Sequence, residues 1–176
     1  MKKWLVAIWL LCVGITSAAQ LYQTKAGTIR ASGRYNGVNV IATSNHLHMQ
    51  INYDRAELQM RLVIPSIMAD NDSLNVLLQK LAGNEAHYTG KMNISFVQTK
   101  SHSRQKFSTT GIMTINKIAK AFGFTSTLEH YPRGSVSCVL SGEFVLNLTD
   151  FGIVTNSEED KIKVSFSQLL LKRISE

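Results

Sequence analysis

Apolar and polar residues alternate along most of this chain. In the stretch 58–64, Leu58, Met60, Leu62 and Ile64 share one parity, and the polar residues Gln59 and Arg61 lie on the other. Because successive side chains of a strand point to opposite faces, this period predicts a strand with one apolar and one polar face. The same reasoning predicts strands over residues 28–34, 36–43, 47–53, 58–64, 92–96, 105–115, 118–128, 135–148 and 162–166. Turn-forming residues such as Asn36-Gly37 separate them.

One segment has a helical period instead. Its leucines recur at positions i, i+3, i+4 and i+7, namely Leu74, Leu77, Leu78 and Leu81. Asp72-Ser73 can cap the start of such a helix, and Gly83 can end it. The sequence therefore predicts one short amphipathic helix near residues 72–82.

The number and spacing of the predicted strands bound the fold class. About eight antiparallel strands in one domain must protect their edges, either in a sandwich or in a closed barrel. Several of the strands are long and are joined by short turns, which favours a barrel. We therefore predict an all-β, extended, antiparallel up-and-down β-barrel of about eight strands, with room for a small apolar ligand.

Residues 111–124, GIMTINKIAKAFGF, fit two structures. As a helix, the segment would be basic and amphipathic, as in helices that lie on membranes. As strands, it would be a hairpin turning at Asn116-Lys117. The glycines and the β-branched residues upstream favour the hairpin. Lys120 then falls on the apolar parity, and a bulge or a register shift near the turn would relieve this conflict.

Residues 1–19 have the features of a secretory signal peptide. Lys2 and Lys3 precede an apolar run, and Ser17-Ala18-Ala19 supplies small residues for cleavage. Cleavage after Ala19 would leave residues 20–176 as one domain. We therefore expect a protein of the periplasm or one that is secreted, without an integral membrane segment after cleavage.

The net charge and the cysteine content limit the binding partners and the disulfide bonds that we expect. Loss of the two N-terminal lysines lowers the net charge from +7 to +5. The basic residues are scattered, which argues against nucleic-acid binding. Cys138 is then the one remaining cysteine, so an intramolecular disulfide cannot form and the fold must rest on its core. The sequence leaves a homodimer open.

Two motifs resemble those of a known family. Residues 111–115, GIMTI, followed by a turn, resemble the G-x-L-T-I-x-G signature of the YceI-like family of exported bacterial proteins. Residues 147–153, NLTDFGI, resemble the N-R-x-D-F-G-I motif of the same family. Together with the spacing of the first strands and the closing strand, the resemblance covers residues 28–173.

The resemblance implies a lipocalin-like barrel whose lumen holds a long isoprenoid or similar amphiphilic lipid. The matching motif residues, expected to be structural, are Gly111, Thr114, Asp150, Phe151 and Gly152. The chain also departs from the family pattern. Asn116-Lys117 replaces a His-Gly type of turn, Leu148 replaces an arginine, and residues 83–88 replace a D-x-F-F-D stretch. These departures put the ligand in question more than the fold.

Apolar strand positions are the candidates for a lipid-binding lumen. They are Leu58, Met60, Leu62, Ile64, Ile94, Phe96, Met113, Ile115, Phe122, Phe124, Phe144 and Phe166. The alternative is that these side chains fill a small barrel completely. The candidate lid consists of Leu74, Leu77, Leu78 and Leu81, and the alternative is a helix that plugs one barrel end permanently.

The sequence favours binding over catalysis. It contains no nucleophile motif and no glycine-rich phosphate loop, so we do not expect an enzyme. His46 and His48 share a strand face and could be half of a metal site, but further ligands are not apparent, and no metal is predicted.

Two functions remain open at this point. The first is a carrier or sequestering protein for an isoprenoid-like lipid, such as a quinone or a polyprenyl chain. The second is a ligand-free barrel that acts as an interaction or structural module of the cell envelope. Exposed apolar residues on the outer face, with Val63 and Leu169 as candidates, would favour the second.

Overall fold

The computed structural model describes residues 20–81, 84–97, 104–130, 137–153 and 160–172. The predicted signal peptide and the helix stop at Gly83 lie outside these residues. The elements are β1 (Leu21–Tyr35), β2 (Val38–Asn52), β3 (Glu57–Val63), β4 (Met68–Ala69), α1 (Asp72–Lys80), β5 (Glu85–Met92), β6 (Arg104–Ile115), β7 (Ile118–His130), β8 (Ser137–Asn147) and β9 (Lys161–Lys172). Two 3₁₀ turns occupy Ile64–Ser66 and Leu148–Phe151.

Eight strands form a closed antiparallel barrel. Their order is β1-β9-β8-β7-β6-β5-β3-β2, and the ring closes because β2 also pairs with β1. Neighbours in the ring are neighbours among the long strands of the chain, as in an up-and-down barrel. This confirms the all-β barrel prediction. Most of the predicted segments 36–43 and 47–53 belongs to the single long strand β2, and Asn36-Gly37 forms the turn before it.

The short strand β4 lies outside the ring. Ala69 pairs with Ala42 and Met68 with Thr43 of β2. β3 pairs with the later part of β2, so β3 and β4 share the same edge of that strand. Between β3 and β4 the chain leaves the sheet through the 3₁₀ turn at Ile64–Ser66. Pro65 has no N–H to donate to a ladder, so this break suits its position.

The tight turns of two hairpins adopt a left-handed backbone. Asn36 and Gly37 have φ values of 51° and 78° between β1 and β2, and Asn116 and Lys117 have values of 50° and 64° between β6 and β7. Positive φ at both central residues defines the type I′ turn, whose twist matches that of the flanking strands. The hairpin prediction for residues 111–124 is confirmed.

The position of Lys120 on the apolar face of β7 is accommodated without a bulge. The β6–β7 register runs without a shift from Ile115–Ile118 to Arg104–Glu129. The pairing of β7 with β8 begins at Thr125 and continues to His130, so the tip of the hairpin extends beyond its neighbour. Lys120 lies on this extension and is exposed despite its apolar parity.

The strand predicted over 92–96 is wrong. β5 spans Glu85–Met92 and ends where that prediction begins. Its inward side is Ala86, Tyr88, Gly90 and Met92, in which a glycine interrupts the apolar pattern. Residues 93–96 are bends, and Phe96 is 53% exposed there.

The helix lies close to its predicted position and has a different cap. Asn71 is the N-cap residue, and its side-chain oxygen accepts a hydrogen bond from the Leu74 amide at 3.0 Å. Asn75 then attaches the helix to β4, since its side chain accepts from the Ala69 amide at 2.7 Å and donates to the Ala69 carbonyl at 2.9 Å. α1 is therefore fixed at both its start and its middle.

The interior of the barrel has two unlike halves. We call the half that contains both tight turns and α1 the upper half, and the opposite one the lower half. Inward side chains of the lower half are almost fully buried: Tyr22, Leu58, Leu128, Cys138, Leu140 and Leu170 are 0% exposed and Tyr53 is 2% exposed. These residues pack as one hydrophobic core.

Candidate functional site

The upper half of the barrel contains an apolar cavity of about 440 Å³ that is partly open to solvent. Aliphatic side chains supply most of its wall, among them Ile29, Val40, Leu47, Met60, Leu62, Ile64, Ile67, Met113, Ile115, Leu146, Ile153, Ile162 and Val164. Small residues of the β1–β2 hairpin, including Ala31, Gly33, Ala42 and Ser44, supply the rest of one side. The volume falls in the range of small-molecule sites in proteins.

The lining ends on each strand before the lower half begins. The lowest lining residues are Ile29 on β1, Leu47 on β2, Met60 on β3, Tyr88 on β5, Met113 on β6, Phe144 on β8 and Val164 on β9. The next inward residues down, such as Leu58 and Met49, are buried and belong to the packed core. The cavity therefore has a floor.

Aromatic rings form this floor. We call Tyr88, Phe122, Phe124, Phe144 and Phe166 the aromatic layer. Phe124 is its centre, with ring centroids 5.1 Å from Tyr88, 5.1 Å from Phe144 and 6.2 Å from Phe166. Tilted and edge-to-face contacts at these separations are favourable. The layer connects strands β5, β7, β8 and β9 across the lumen.

Two glycines make room for the rings of the layer. A Cβ at Gly142 would lie 2.5 Å from the Phe166 ring. At Gly90, a Cβ would overlap the Tyr88 hydroxyl, so this ring lies over the wall just below the cavity. Gly111, opposite Gly90, is confined for another reason, since its Cβ would meet the backbone of Thr89 and Gly90. The two strands approach closely there.

Below the layer, polar groups are buried within the apolar core. The Tyr53 hydroxyl lies 2.9 Å from the His130 Nε2 atom, and the Tyr53 ring stacks on Tyr22 with centroids 4.1 Å apart. Burial raises the pKa of the Cys138 thiol to about 11 and raises the pKa of the Tyr53 hydroxyl. Both groups are therefore neutral at physiological pH.

α1 covers the cavity from above. Leu74, Leu77, Leu78 and Leu81, the four candidate lid residues, all line it. Besides the bonds of Asn75, the Gln79 side chain donates to the Pro65 carbonyl at 3.0 Å. The helix is therefore held against the 3₁₀ turn as well as against β4.

Basic side chains accompany the apolar wall. The basic lining residues are Arg34, Arg61, Lys80 and His87, and no aspartate or glutamate occurs among the described lining residues. Outside the lining, Glu85 accepts hydrogen bonds from Arg61 and lies 2.9 Å from the His87 Nε2 atom. The hydrogen bond from the Arg61 guanidinium is the main cause that lowers the pKa of Glu85.

A 3₁₀ turn completes the rim. Leu148–Phe151 follows β8 and ends at Gly152, which has a φ of 66°. Phe151 is buried, whereas Asp150 is exposed. The Asn116 side chain donates to the Phe151 carbonyl at 3.4 Å, which joins the β6–β7 turn to this segment. Leu148, Gly152 and Asn116 line the cavity.

Half of the candidate lumen residues line the cavity and the other half lie elsewhere. Met60, Leu62, Ile64, Met113, Ile115 and Phe144 line the cavity. Phe122, Phe124 and Phe166 belong to the aromatic layer, Leu58 lies in the lower core, and Ile94 and Phe96 follow the end of β5. Of the family-motif residues, Thr114 lies on β6 opposite His87 and Gly111 opposite Gly90. The lining residues of the β1–β2 hairpin were not predicted from the sequence.

Other features of the sequence lie away from the cavity. His46 is exposed on β2, and His48 pairs with Arg61 of β3. Within the described ranges, no three His, Cys, Asp or Glu side chains come together as a metal site would require. None of the helices in this part of the chain has the length and hydropathy of a membrane-crossing helix.

Solved structures with the same fold come from several bacterial proteins. A polyisoprenoid-binding domain from Saccharophagus degradans aligns with a TM-score of 0.68 at 8% identity, over 89% of this chain and 100% of that one. BcnA from Burkholderia cenocepacia aligns with a TM-score of 0.59 at 16% identity, over 81% of this chain and 95% of its own.

A mutant of the CJ YceI protein aligns with a TM-score of 0.60 at 17% identity, over 81% of this chain and 90% of that one. At these identities the likeness concerns the fold. No curated protein matches the sequence. The family model of the YceI-like domain, however, matches residues 21–168, and the chain belongs to this family.

Proposed function

We propose that this protein is a carrier or sequestering protein that binds an isoprenoid-like or other long-chain amphiphilic lipid inside its barrel. The observation that carries the proposal is the apolar cavity of about 440 Å³ under α1. Family membership supports it, as does the polyisoprenoid binding of the relative from Saccharophagus degradans. Burial of an apolar chain supplies the affinity, at about 25 cal/mol per Å² before the costs of binding.

The lining also suggests how the ligand is oriented. Its apolar chain lies against the aliphatic wall, and its polar head lies near Arg34 and Lys80, the lining residues that carry full charges outside the Arg61–Glu85 pair. A quinone, an alcohol or an anionic head group can accept hydrogen bonds from these side chains. The proposed role is binding, without a chemical step.

Lipid extraction tests the proposal directly. The protein is purified without detergent from a host that exports it, extracted with organic solvent, and the extract is analysed by mass spectrometry. We expect one lipid chain per protein. Repeated recovery of empty protein that takes up neither added quinone nor added polyprenol would falsify the proposal.

A pair of arginine variants locates the binding site. Met60→Arg places a charge in the cavity wall and should abolish lipid uptake, because the charge would have to be desolvated beside the chain. Phe96→Arg makes the same chemical change at a half-exposed position outside the cavity and should leave uptake unchanged. Circular dichroism confirms that both variants fold. Equal uptake by both would place the ligand elsewhere.

We also propose that the protein works in the periplasm or outside the cell. The charged start, the apolar run and the small residues at 17–19 support this location. N-terminal sequencing of the purified protein should give Gln20 as the first residue. A first residue at Met1 would contradict cleavage.

The second candidate, an interaction module of the envelope, is favoured by apolar residues on the outer face. Leu169 and Leu171 of β9 are 49% and 56% exposed. Recovery of empty wild-type protein, combined with loss of a binding partner in Leu169→Asp, would support this function over lipid carriage.

A further inference from the structure

We infer that the outer surface beside the mouth of the cavity docks on a lipid bilayer with anionic head groups, from which the cavity takes up its ligand. The inference rests on the proposed function and names the partner of that site. The surface, which we call the docking face, combines apolar side chains with arginines. It consists of Ile41, Met68, Val76, Leu77, Arg30 and Arg34.

The apolar side chains of the docking face are exposed to solvent and lie close together. Met68 of β4 is 58% exposed and Ile41 of β2 is 37% exposed. Met68 pairs with Thr43, which lies two residues after Ile41 on the same face of β2, so Met68 and Ile41 are diagonal neighbours. Single exposed apolar residues are normal on a protein surface, whereas a group of them marks an interaction site.

α1 extends this apolar group to the cavity. The Asn75 side chain bonds both backbone groups of Ala69, the residue that follows Met68. Val76 comes next in the helix and is 57% exposed, so its side chain lies on the segment attached to β4. Leu77 is 43% exposed and also lines the cavity. The docking face is therefore continuous with the mouth of the cavity.

Two arginines flank the apolar group. Ile41 pairs with Ser32 of β1, so Arg30 and Arg34, two residues away on either side, are diagonal neighbours of Ile41 on the same face of the sheet. Both arginines are exposed, and neither β1 nor β2 contains an aspartate or a glutamate. Apolar side chains bordered by basic ones are typical of elements that bind anionic membrane surfaces.

Two carboxylates lie on the same side of the molecule, and each has a local structural role. The Asp70 carboxylate accepts a hydrogen bond from the Ile41 amide at 2.9 Å. Asp72 occupies the first turn of α1, where the helix dipole favours a negative charge. Lys80, in the last turn of α1, adds to the charge of the two arginines. The positive charges therefore outnumber the negative ones around the mouth.

A lipid bilayer is the partner that fits both the docking face and the cavity. A long apolar chain is excluded from water and resides in a membrane, so a carrier has to take up such a ligand at the membrane surface. Apolar side chains of surface-bound elements enter the boundary between head groups and acyl chains, while basic side chains contact the head groups. Docking through Met68 and Val76 brings the mouth of the cavity to this boundary.

Sedimentation with vesicles tests the docking face. The exported protein is mixed either with vesicles of phosphatidylethanolamine and phosphatidylglycerol or with vesicles of phosphatidylcholine alone, and the bound fraction is measured. We expect binding to the anionic vesicles that weakens as salt is added, because ions screen the arginines. Binding to the neutral vesicles should be weaker. Absence of binding to the anionic vesicles would overturn the inference.

Three variants at exposed positions locate the contact. Met68→Asp should lower binding to anionic vesicles at least about ten-fold, because it removes an apolar side chain and adds a negative charge. Arg30→Gln should lower it about five-fold and leave binding to neutral vesicles unchanged. Val145→Asp is the matched control, since Val145 is 58% exposed on β8, three strands away from β2 in the ring. Equal losses in Met68→Asp and Val145→Asp would contradict the assigned face.

The outcomes separate the docking face from the proposed function. Vesicle binding by a protein that retains no lipid would support the docking face and contradict the proposed function. Lipid uptake from vesicles that Met68→Asp leaves unchanged would overturn the docking face and still support lipid carriage. A dimer that is seen by light scattering and is lost in Met68→Asp, without vesicle binding, would assign this face to a second copy of the chain and overturn the inference.

Discussion

The lower and upper halves of this barrel are built from the same strands and differ in what fills them. In the lower half, large inward side chains such as Tyr53 and Leu170 meet across the lumen and are almost fully buried. In the upper half, the inward positions of the β1–β2 hairpin hold small residues, among them Ala31 and Ala42, and a cavity remains. The comparison suggests that one half supplies stability and the other supplies the space for binding.

Leucine truncations should show the largest difference between the halves. Leu170→Ala opens a new void in a packed region and should lower the free energy of unfolding by about 3–5 kcal/mol. Leu146→Ala enlarges a cavity that already exists and should cost about 2 kcal/mol or less. Urea denaturation of the delipidated proteins measures both values. Equal losses would contradict the proposed division of roles.

High pH should destabilise the protein through the buried Cys138 of the lower half. Burial raises its pKa from the ordinary value of 9.0 to about 11, so the thiol loses its proton at lower pH in the unfolded chain than in the folded one. Stability is therefore complete below about pH 9 and falls as the pH rises towards 11, by up to about 3 kcal/mol.

Cys138→Ala supplies the matched control for this pH effect. The pKa values of Tyr22, Tyr53 and Tyr88 are also raised from 10.0, so this variant should begin to lose stability only above about pH 10. Denaturation midpoints at pH 8, 9, 10 and 11 distinguish the curves. A parent protein whose stability is flat up to pH 10 would contradict the assignment to Cys138.

Removing the hydroxyl of Tyr53 in the lower half and that of Tyr88 at the floor of the cavity should change stability differently. Tyr53→Phe deletes the partner of the His130 Nε2 atom and should cost about 1–3 kcal/mol. The Tyr88 hydroxyl is buried and has no hydrogen-bond partner within the described structure. Tyr88→Phe should therefore be neutral or stabilising. Thermal unfolding of both variants tests this, and a larger loss in Tyr88→Phe would reverse the comparison.

The smallest predicted effect concerns the upper turn at Asn116-Lys117. Lys117 has a φ of 64°, which costs a residue with a side chain about 1 kcal/mol and a glycine almost nothing. Lys117→Gly should therefore stabilise the protein by about 1 kcal/mol. Gly37→Lys, at the equivalent position of the other type I′ turn, should destabilise it by a similar amount. Denaturant midpoints of the pair provide the measurement.

The alternation of apolar and polar residues predicts which face of a strand a residue occupies. This information was enough to predict the barrel fold. It does not predict the height of a residue along the barrel axis. Leu58 and Met60 share one face of β3, yet Leu58 lies in the packed core and Met60 lines the cavity. Height depends on strand register, which is set by pairing between distant segments.

The cavity-lining residues that the sequence pattern did not predict are small. Ala31, Gly33, Ala42 and Ser44 line the cavity because they leave space, but they contribute little to an apolar pattern. The inward face of β5 was not predicted for the same reason, because Gly90 interrupts its apolar pattern. The sequence signal for a cavity is therefore an inward parity occupied by small residues, next to strands whose inward residues are large.

The pairing of β1 with β9, which are far apart in the sequence, has a consequence for the order of folding. β1 pairs with β9, and the Gln168 side chain donates to the Thr28 carbonyl across 140 residues of sequence. Contacts between such distant segments carry a large loop-closure cost and form slowly. A chain still being synthesised cannot pair β1 with β9, because β9 is produced after the other strands of the ring. Until then β1 has one unpaired edge, and the growing chain is most exposed to aggregation in this interval.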